Sequence, residues 1–266
     1  TSNRHGAASV TQFEVMPQPP PNALEEKLSG EIGRYYGAAI AGVRSGQNRR
    51  ALTDVRQARV LAYRALQKGP TEHHLAQRHF TRVIYLEEQL SELVLIDEQL
   101  ERPAERTEQR SLLLQLRALL VHNLFLAVRG FLGQSDGRLL KESIRAYQLA
   151  LEEADNLKHS LMVGYAAMLA ERGSRKEARL AFGKLSEHER EQEALDIAVA
   201  YYYLALGDRA RSIARLITAS HRDSWLHGPP GRDGNSFRNQ VYRMNDFDRL
   251  RDHPRFIEMI SAPEEQ

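Results

Sequence analysis

The chain has 266 residues, of which 42% are hydrophobic and 27% are charged, and its net charge is +2 at pH 7. This length and apolar fraction suffice for a sizeable core, and the near-balanced charge excludes a polyanion-binding or acidic solvating tail as a description of the whole chain. There is no cysteine, which excludes a disulfide framework, a catalytic thiolate and cysteine-ligated metal centres.

Residues 1–22 have no hydrophobic periodicity and end in the run Pro17-Gln18-Pro19-Pro20-Pro21. This composition predicts a disordered tail that is stiffened by proline. With its small polar start, Thr1-Ser2-Asn3, the segment resembles the tether that follows the acylated cysteine of bacterial lipoproteins. The resemblance implies a lipid anchor and a location on the periplasmic side of the bacterial cell envelope, with which the lack of cysteine agrees. A cytoplasmic location is the alternative.

Three helices are predicted after this tail. Apolar residues recur at spacings of three and four through Ala23–Ser45 and again through Arg49–Lys68, and Gly46-Gln47-Asn48 separates the two segments. A longer helix is predicted to begin after Thr71 and to run to Leu100. No stretch alternates with a period of two between turn signals, so no sheet is predicted.

The segment Ser111–Phe131 is predicted to be a fourth helix, and it is the most apolar stretch of the chain. Its length allows a membrane span, but Arg117 and Arg129 lie inside it. Arginine near the centre of a bilayer costs several kcal/mol, so a buried helix is the favoured interpretation. Residues 23–136 are therefore expected to form an N-terminal helical region.

A repeat is visible further along the chain. Gly173 and Gly207 are 34 residues apart, and so are Ala166 and Ala200. A fixed period of 34 residues is typical of stacked helix pairs. The alanines are expected where two helices come close, and the glycines where the first helix of each pair ends in a left-handed cap. The second helices carry small and large residues in matching order: Ala178, Phe182 and Leu185 in one unit, Ser212, Leu216 and Ala219 in the next.

This pattern resembles the tetratricopeptide-repeat family over about residues 139–260, with Ser143, Tyr147 and Ala150 in a further upstream unit. The resemblance implies an all-α fold in which antiparallel helix pairs stack as an α-solenoid over 137–261, with the longer helices of 23–136 capping the stack. The run from Phe247 to Phe256 resembles the closing segment of bacterial members. It implies a short last helix packed against the open end.

The search for catalytic or ligand-binding motifs finds none. His73, His74 and His79 lack the i, i+4 spacing of metal-binding helices, and the Gly-rich stretch at 227–236 lacks the Gly-Lys-Ser/Thr of a phosphate loop. We therefore predict no catalytic residue, no cofactor and no metal. No nucleic-acid-binding module is recognised either, so no nucleic acid is expected as a partner.

Charge is unevenly distributed along the chain. Residues 34–82 contain ten Arg or Lys against two acids, and 83–115 contain eight acids against three arginines. Two interpretations remain open. The basic and acidic helices compensate each other inside the stack, or an arginine-rich face of the second helix docks an acidic partner. On the second interpretation the partner-binding residues include Arg49, Arg56 and Arg59.

The family resemblance implies a protein-binding scaffold that holds a partner helix or peptide in its concave groove. The candidate groove residues are Tyr165, Met168, Arg172, Tyr202 and Arg209, of which Met168 and Tyr202 are equally compatible with the core. The alternatives are a permanent structural subunit of a large assembly, a cytoplasmic adaptor, and an enzyme whose site is assembled from scattered residues.

Overall fold

The computed structural model describes residues 23–67, 73–102, 107–153, 159–220 and 245–261. In these ranges the protein is all-α, without strands, and consecutive helices pack on one another. The helices are α1 Ala23–Ser45, α2 Asn48–Leu66, α3 His73–Leu100, α4 Thr107–Leu132, α5 Gly137–Glu152, α6 His159–Glu171, α7 Arg175–Gly183, α8 Glu187–Arg190, α9 Asp196–Ala205, α10 Arg209–Ser220 and α11 Pro254–Ser261. Short 3₁₀ turns occupy Glu193–Leu195 and Asn245–Leu250.

The all-α prediction is confirmed. The predicted bounds of α1 agree with the structure, whereas α2 ends at Leu66 and α4 begins at Thr107, four residues before the predicted start. Thr71, the Gly-rich stretch 227–236 and the tail 1–22 lie outside the described residues, as do the side chains of the predicted histidine cluster.

The repeat positions inferred from the sequence are buried. Ala166 and Ala200 of the first helices and Ala178 and Ser212 of the second helices are inaccessible to solvent. Helix α6 packs on both α7 and α9, and α9 packs on α10. Small side chains are needed at these four positions because helix backbones can approach closely only where no bulky group separates them.

Both repeat glycines end their helices in the left-handed region. Gly173 has a φ of 89° and Gly207 a φ of 86°. The Gly173 N–H donates to the carbonyl of Ala170 at 2.9 Å, and the next N–H reaches back to Leu169 at 3.0 Å; Gly207 and its successor repeat this pair of bonds at 2.9 Å each. This is the Schellman cap, which satisfies carbonyls that the helix itself leaves without a donor.

The same cap ends α1, where the sequence showed no repeat. Gly46 has a φ of 78°, and its N–H and that of Gln47 donate to the carbonyls of Val43 and Gly42. Ala39 lies seven residues before this glycine and Ala51 five after it, as Ala166 and Ala178 do around Gly173. Both are fully buried. The α1–α2 pair therefore repeats the geometry of the later pairs.

The N-terminal helices are tied to the repeats at the start of α5. Asp136 caps this helix by accepting from the N–H groups of Arg138 and Leu139, and it pairs with Arg44 of α1 at 2.7 Å. Arg138 in turn donates to the carbonyls of Val43 and Arg44. Although burial alone would raise the pKa of Asp136, these backbone donors and the Arg44 guanidinium hold that pKa below its usual value.

Replacing Gly173 or Gly207 with valine is expected to cost about 1 kcal/mol or more of unfolding free energy, because a β-branched residue is poorly tolerated at positive φ. Gly183→Val is the matched control, since Gly183 has no positive φ and nothing lies within 4 Å of its would-be Cβ. Chemical denaturation measures the effect. Equal losses at all three positions would contradict the assignment of the caps.

Candidate functional site

Two of the predicted groove residues belong to the core. Met168 is 0% exposed and Tyr202 is 2% exposed. The Tyr202 ring stacks on Phe182 with the ring centroids 4.1 Å apart, and burial, with Tyr203 nearby, raises the Tyr202 pKa to about 12. A partner could not touch either side chain without rearranging the stack, so the structure favours the core, one of the two placements that the sequence left open for these residues.

The other three candidates reach solvent, and two of them have partners within the chain. The half-buried Tyr165 accepts a hydrogen bond from Gln148 of α5 at 3.1 Å. The exposed Arg172 pairs with Glu177 of α7 at 2.6 Å. Arg209 is exposed at the first position of α10.

The arginine-rich face of α2 is compensated within the chain. Arg49 pairs with Glu98 at 3.1 Å, and Arg56 and Arg59 both reach Glu87 at 3.4 and 3.0 Å. Glu87 is itself buried on α3. This pairing favours the interpretation of a self-complementing stack, and binding of an acidic partner by these three arginines stays a prediction. The sequence alone could not distinguish a self-complementing stack from a face that docks an acidic partner, because both interpretations require the same charged residues.

The helices pair as α4–α5, α6–α7 and α9–α10, and the first helix of each pair contributes a side chain to a cluster around one buried carboxylate. The side chain of Glu171, at the end of α6, is 5% exposed and lies 3.1 Å from the Arg129 guanidinium of α4. Tyr201 of α9 donates its hydroxyl to the same oxygen, Glu171 Oε1, at 2.9 Å. Arg249 of the 3₁₀ turn Asn245–Leu250 also pairs with this carboxylate. We call these four residues the Glu171 cluster.

The cluster anchors the C-terminal segment against the face formed by the first helices. The turn Asn245–Leu250 packs on α4 and α9, with Phe247 and Leu250 buried, and α11 packs on α10. The prediction of a short helix at the end of the stack therefore describes α11 alone. The preceding turn lies on the face where the predicted groove would receive a partner, so that part of the face is already occupied.

Replacing Glu171 with glutamine is expected to lower the unfolding free energy by about 3–5 kcal/mol, because the buried Arg129 would lose the negative charge of the carboxylate that it faces. The matched control is Glu177→Gln, an exposed carboxylate that also pairs with an arginine. Its loss should be within about 1 kcal/mol. Guanidinium unfolding curves compare the two variants, and similar small losses would contradict the role of the cluster.

A partly buried histidine lies next to the cluster. His122 of α4 contacts the Tyr147 hydroxyl of α5 through Nδ1 at 2.8 Å, and its ring lies 5.5 Å from that of Tyr201. Burial, helped by the charge of Arg129, lowers the His122 pKa from 6.5 to about 3. The imidazole is therefore neutral at physiological pH, and it contributes packing and a hydrogen bond rather than a charge.

This lowered pKa predicts acid sensitivity. Between pH 6.5 and about 3 the unfolded chain binds a proton at His122 that the folded chain does not, so stability falls as the pH drops through this window. The expected slope from this group is on the order of 1 kcal/mol per pH unit. His122→Gln should flatten the dependence of the unfolding midpoint between pH 7 and 5, whereas the exposed His188→Gln should leave it unchanged.

An open concavity lies between α3, α4 and α5. It has a volume of about 690 Å³, and we call it the α3–α5 groove. One wall is acidic, with Asp97 of α3 and Glu101 just past the end of that helix, and the floor is apolar. The floor consists of Leu100, Leu114, Ala146 and Leu149. The other wall consists of Arg138, Lys141 and Arg145 of α5, which we call the basic row.

Some of the charges in this groove are engaged inside the chain and others are not. Arg117 bridges Asp97 at 2.7 Å and Glu142 at 3.2 Å, and Arg138 also pairs with Glu142. Lys141 and Arg145 are exposed, one turn apart, and form no ion pair with another described residue. A second concavity of about 490 Å³ shares Asp97 and Glu101 and extends to the α1–α2 turn. The sequence alone does not single out Lys141 and Arg145, because the groove forms only when α3 and α5 both pack on α4.

The described residues contain no group of three or more histidine, aspartate and glutamate side chains that could hold a metal ion. One described helix is long and apolar enough to cross a membrane: Glu108–Leu132, with a mean hydropathy of 1.6 and 56% of the apolar window buried in the protein. No model of a known protein family, no curated protein and no solved structure matches the chain.

Proposed function

We propose that this protein is a non-enzymatic scaffold that binds an acidic segment of another protein in the α3–α5 groove. The observation that carries the proposal is the pair Lys141 and Arg145, two exposed cations beside an apolar floor and without an ion pair to another described residue. A volume of about 690 Å³ accommodates a few side chains of a docked helix or extended peptide.

The polarity of the groove argues for an acidic rather than a basic partner. Arg117 and Arg138 are held by Asp97 and Glu142, so the charges that remain available are Lys141, Arg145 and the single acid Glu101. Carboxylates on the partner would meet the basic row, while its apolar side chains would cover Leu114 and Leu149. Charge complementarity of this kind gives orientation and association rate more than raw affinity.

A permanent structural subunit is the second candidate. The two are separated by the oligomeric behaviour of the purified chain: a stable soluble monomer favours a transient adaptor, and obligate association favours a subunit. A location on the periplasmic side of the bacterial cell envelope, with a lipid anchor, is a separate proposal that rests on the composition of residues 1–22. Membrane fractionation tests it.

The groove is tested with the double variant Lys141→Glu and Arg145→Glu. In-cell crosslinking followed by mass spectrometry should recover a partner with the unaltered chain, and recovery should fall about tenfold or more with the variant, because two attractive contacts become repulsive. The matched control is Lys176→Glu with Lys184→Glu, an exposed lysine of α7 and the exposed lysine that follows its last residue.

Equal recovery by both double variants would remove the groove from the binding surface. A partner segment that is basic at the crosslinked site would contradict the proposed chemistry. Melting curves of both variants show that any loss of recovery does not arise from unfolding.

A further inference from the structure

The solvent face of α4 carries a stripe of leucines outside the α3–α5 groove. Leu112 is 55% exposed, and Leu116 and Leu119 are each 41% exposed. Their spacing of four and then three residues places them on one face, in the d-a-d order of a heptad. We call these three residues the leucine stripe. Groove-lining Leu114 and Arg117 lie on a different side of the same helix.

The stripe has defined ends. Asn123, at the next position of the heptad, donates to Gln89 of α3 at 2.8 Å, so this side chain is held by the neighbouring helix. Leu126, at the position after that, is buried. The exposed seam is therefore about two helical turns long, which matches a short amphipathic helix packed with coiled-coil spacing.

The surroundings of the stripe are acidic. Glu108 lies one turn before Leu112 on the same face of α4, and it is exposed. Helix α3 runs alongside, joined to α4 by the Asn123–Gln89 and Arg117–Asp97 contacts, and its solvent face carries the exposed Glu88 and Glu92. Two arginines among the described residues lie near this end. Arg110 is turned to Glu153 of α5 at 3.1 Å, and the exposed Arg102, just past α3, is outnumbered by the exposed Glu101 and Glu108.

We infer that the leucine stripe docks a basic amphipathic helix of a partner protein. Leucines of that helix pack against the stripe, and its flanking lysines or arginines face Glu88, Glu92 and Glu108. This surface is separate from the α3–α5 groove and does not rest on the function proposed for it. With both surfaces the chain has two docking faces of opposite charge preference.

The same features argue against two other occupants. A second copy of the chain would bring the same acids to the contact, and like charges across an interface repel. Three half-exposed leucines also supply only a small part of the roughly 800 Å² per partner that a stable dimer buries. An anionic lipid surface would be repelled by the same glutamates.

The test uses a synthetic peptide of three heptads with leucine at a and d and lysine at e and g, which does not pair with itself. Fluorescence anisotropy is recorded with the full chain. Binding should weaken about tenfold or more for Leu116→Ser and for a peptide with glutamate at e and g. Leu180→Ser is the matched control, because Leu180 is an exposed leucine of α7. That control and the double variant Lys141→Glu and Arg145→Glu should bind as the unaltered chain does.

Three outcomes would overturn the inference. The first is equal binding by the Leu116 and Leu180 variants. The second is dimerisation in light scattering that Leu116→Ser abolishes, since the occupant would then be a second copy. The third is binding to phosphatidylglycerol vesicles that Leu116→Ser abolishes, since the occupant would then be a lipid surface. Tighter peptide binding by the double variant, with no effect of Leu116→Ser, would also overturn it, because the lysine-rich peptide would then lie in the α3–α5 groove, where the variant replaces two repelling cations with carboxylates.

Discussion

The C-terminal half of the molecule depends on the carboxylate of Glu171. Helices α4, α6 and α9 each belong to a different pair, and the turn Asn245–Leu250 follows far along the chain, yet all four contribute a side chain to this one group. A carboxylate buried beside a guanidinium is stable only while its hydrogen bonds are satisfied. The cluster therefore fixes how the first helices lie relative to one another, and His122, neutral beside it, completes the packing.

This arrangement decides which surfaces are open. The turn Asn245–Leu250 occupies part of the first-helix face, where a tetratricopeptide-like stack would receive a ligand. Three arginines of α2, Arg49, Arg56 and Arg59, pair with acids of α3. Among the described residues, the exposed surface includes the outer side of α3, α4 and α5, with the basic row of α5 in one place and the leucine stripe in another. Under the function that we propose, these two surfaces would let two partners bind without competing for one groove.

Local sequence patterns predicted the elements and the caps. The 34-residue period placed Gly173 and Gly207 at left-handed positions, and Gly46-Gln47-Asn48 separated α1 from α2, since both features follow from backbone conformations that neighbouring residues determine. The α1–α2 pair escaped recognition because Val55 stands where Phe182 stands in the later unit. The likeness of this pair to the later units lies in its left-handed glycine cap and its two buried alanines, which only the structure shows.

The sequence by itself determined that this chain is all-α, that it stacks in pairs and where its repeat helices end, because helix periodicity and capping act over a few residues. Only the tertiary structure decided the use of each exposed or charged residue. Met168 and Tyr202 lie in the core and not in a groove. Arg56 and Arg59 form ion pairs with Glu87. Lys141 and Arg145 line a concavity. Burial and ion pairing depend on which helices cross, and residues as distant as Glu171 and Arg249 come together only when the stack has formed.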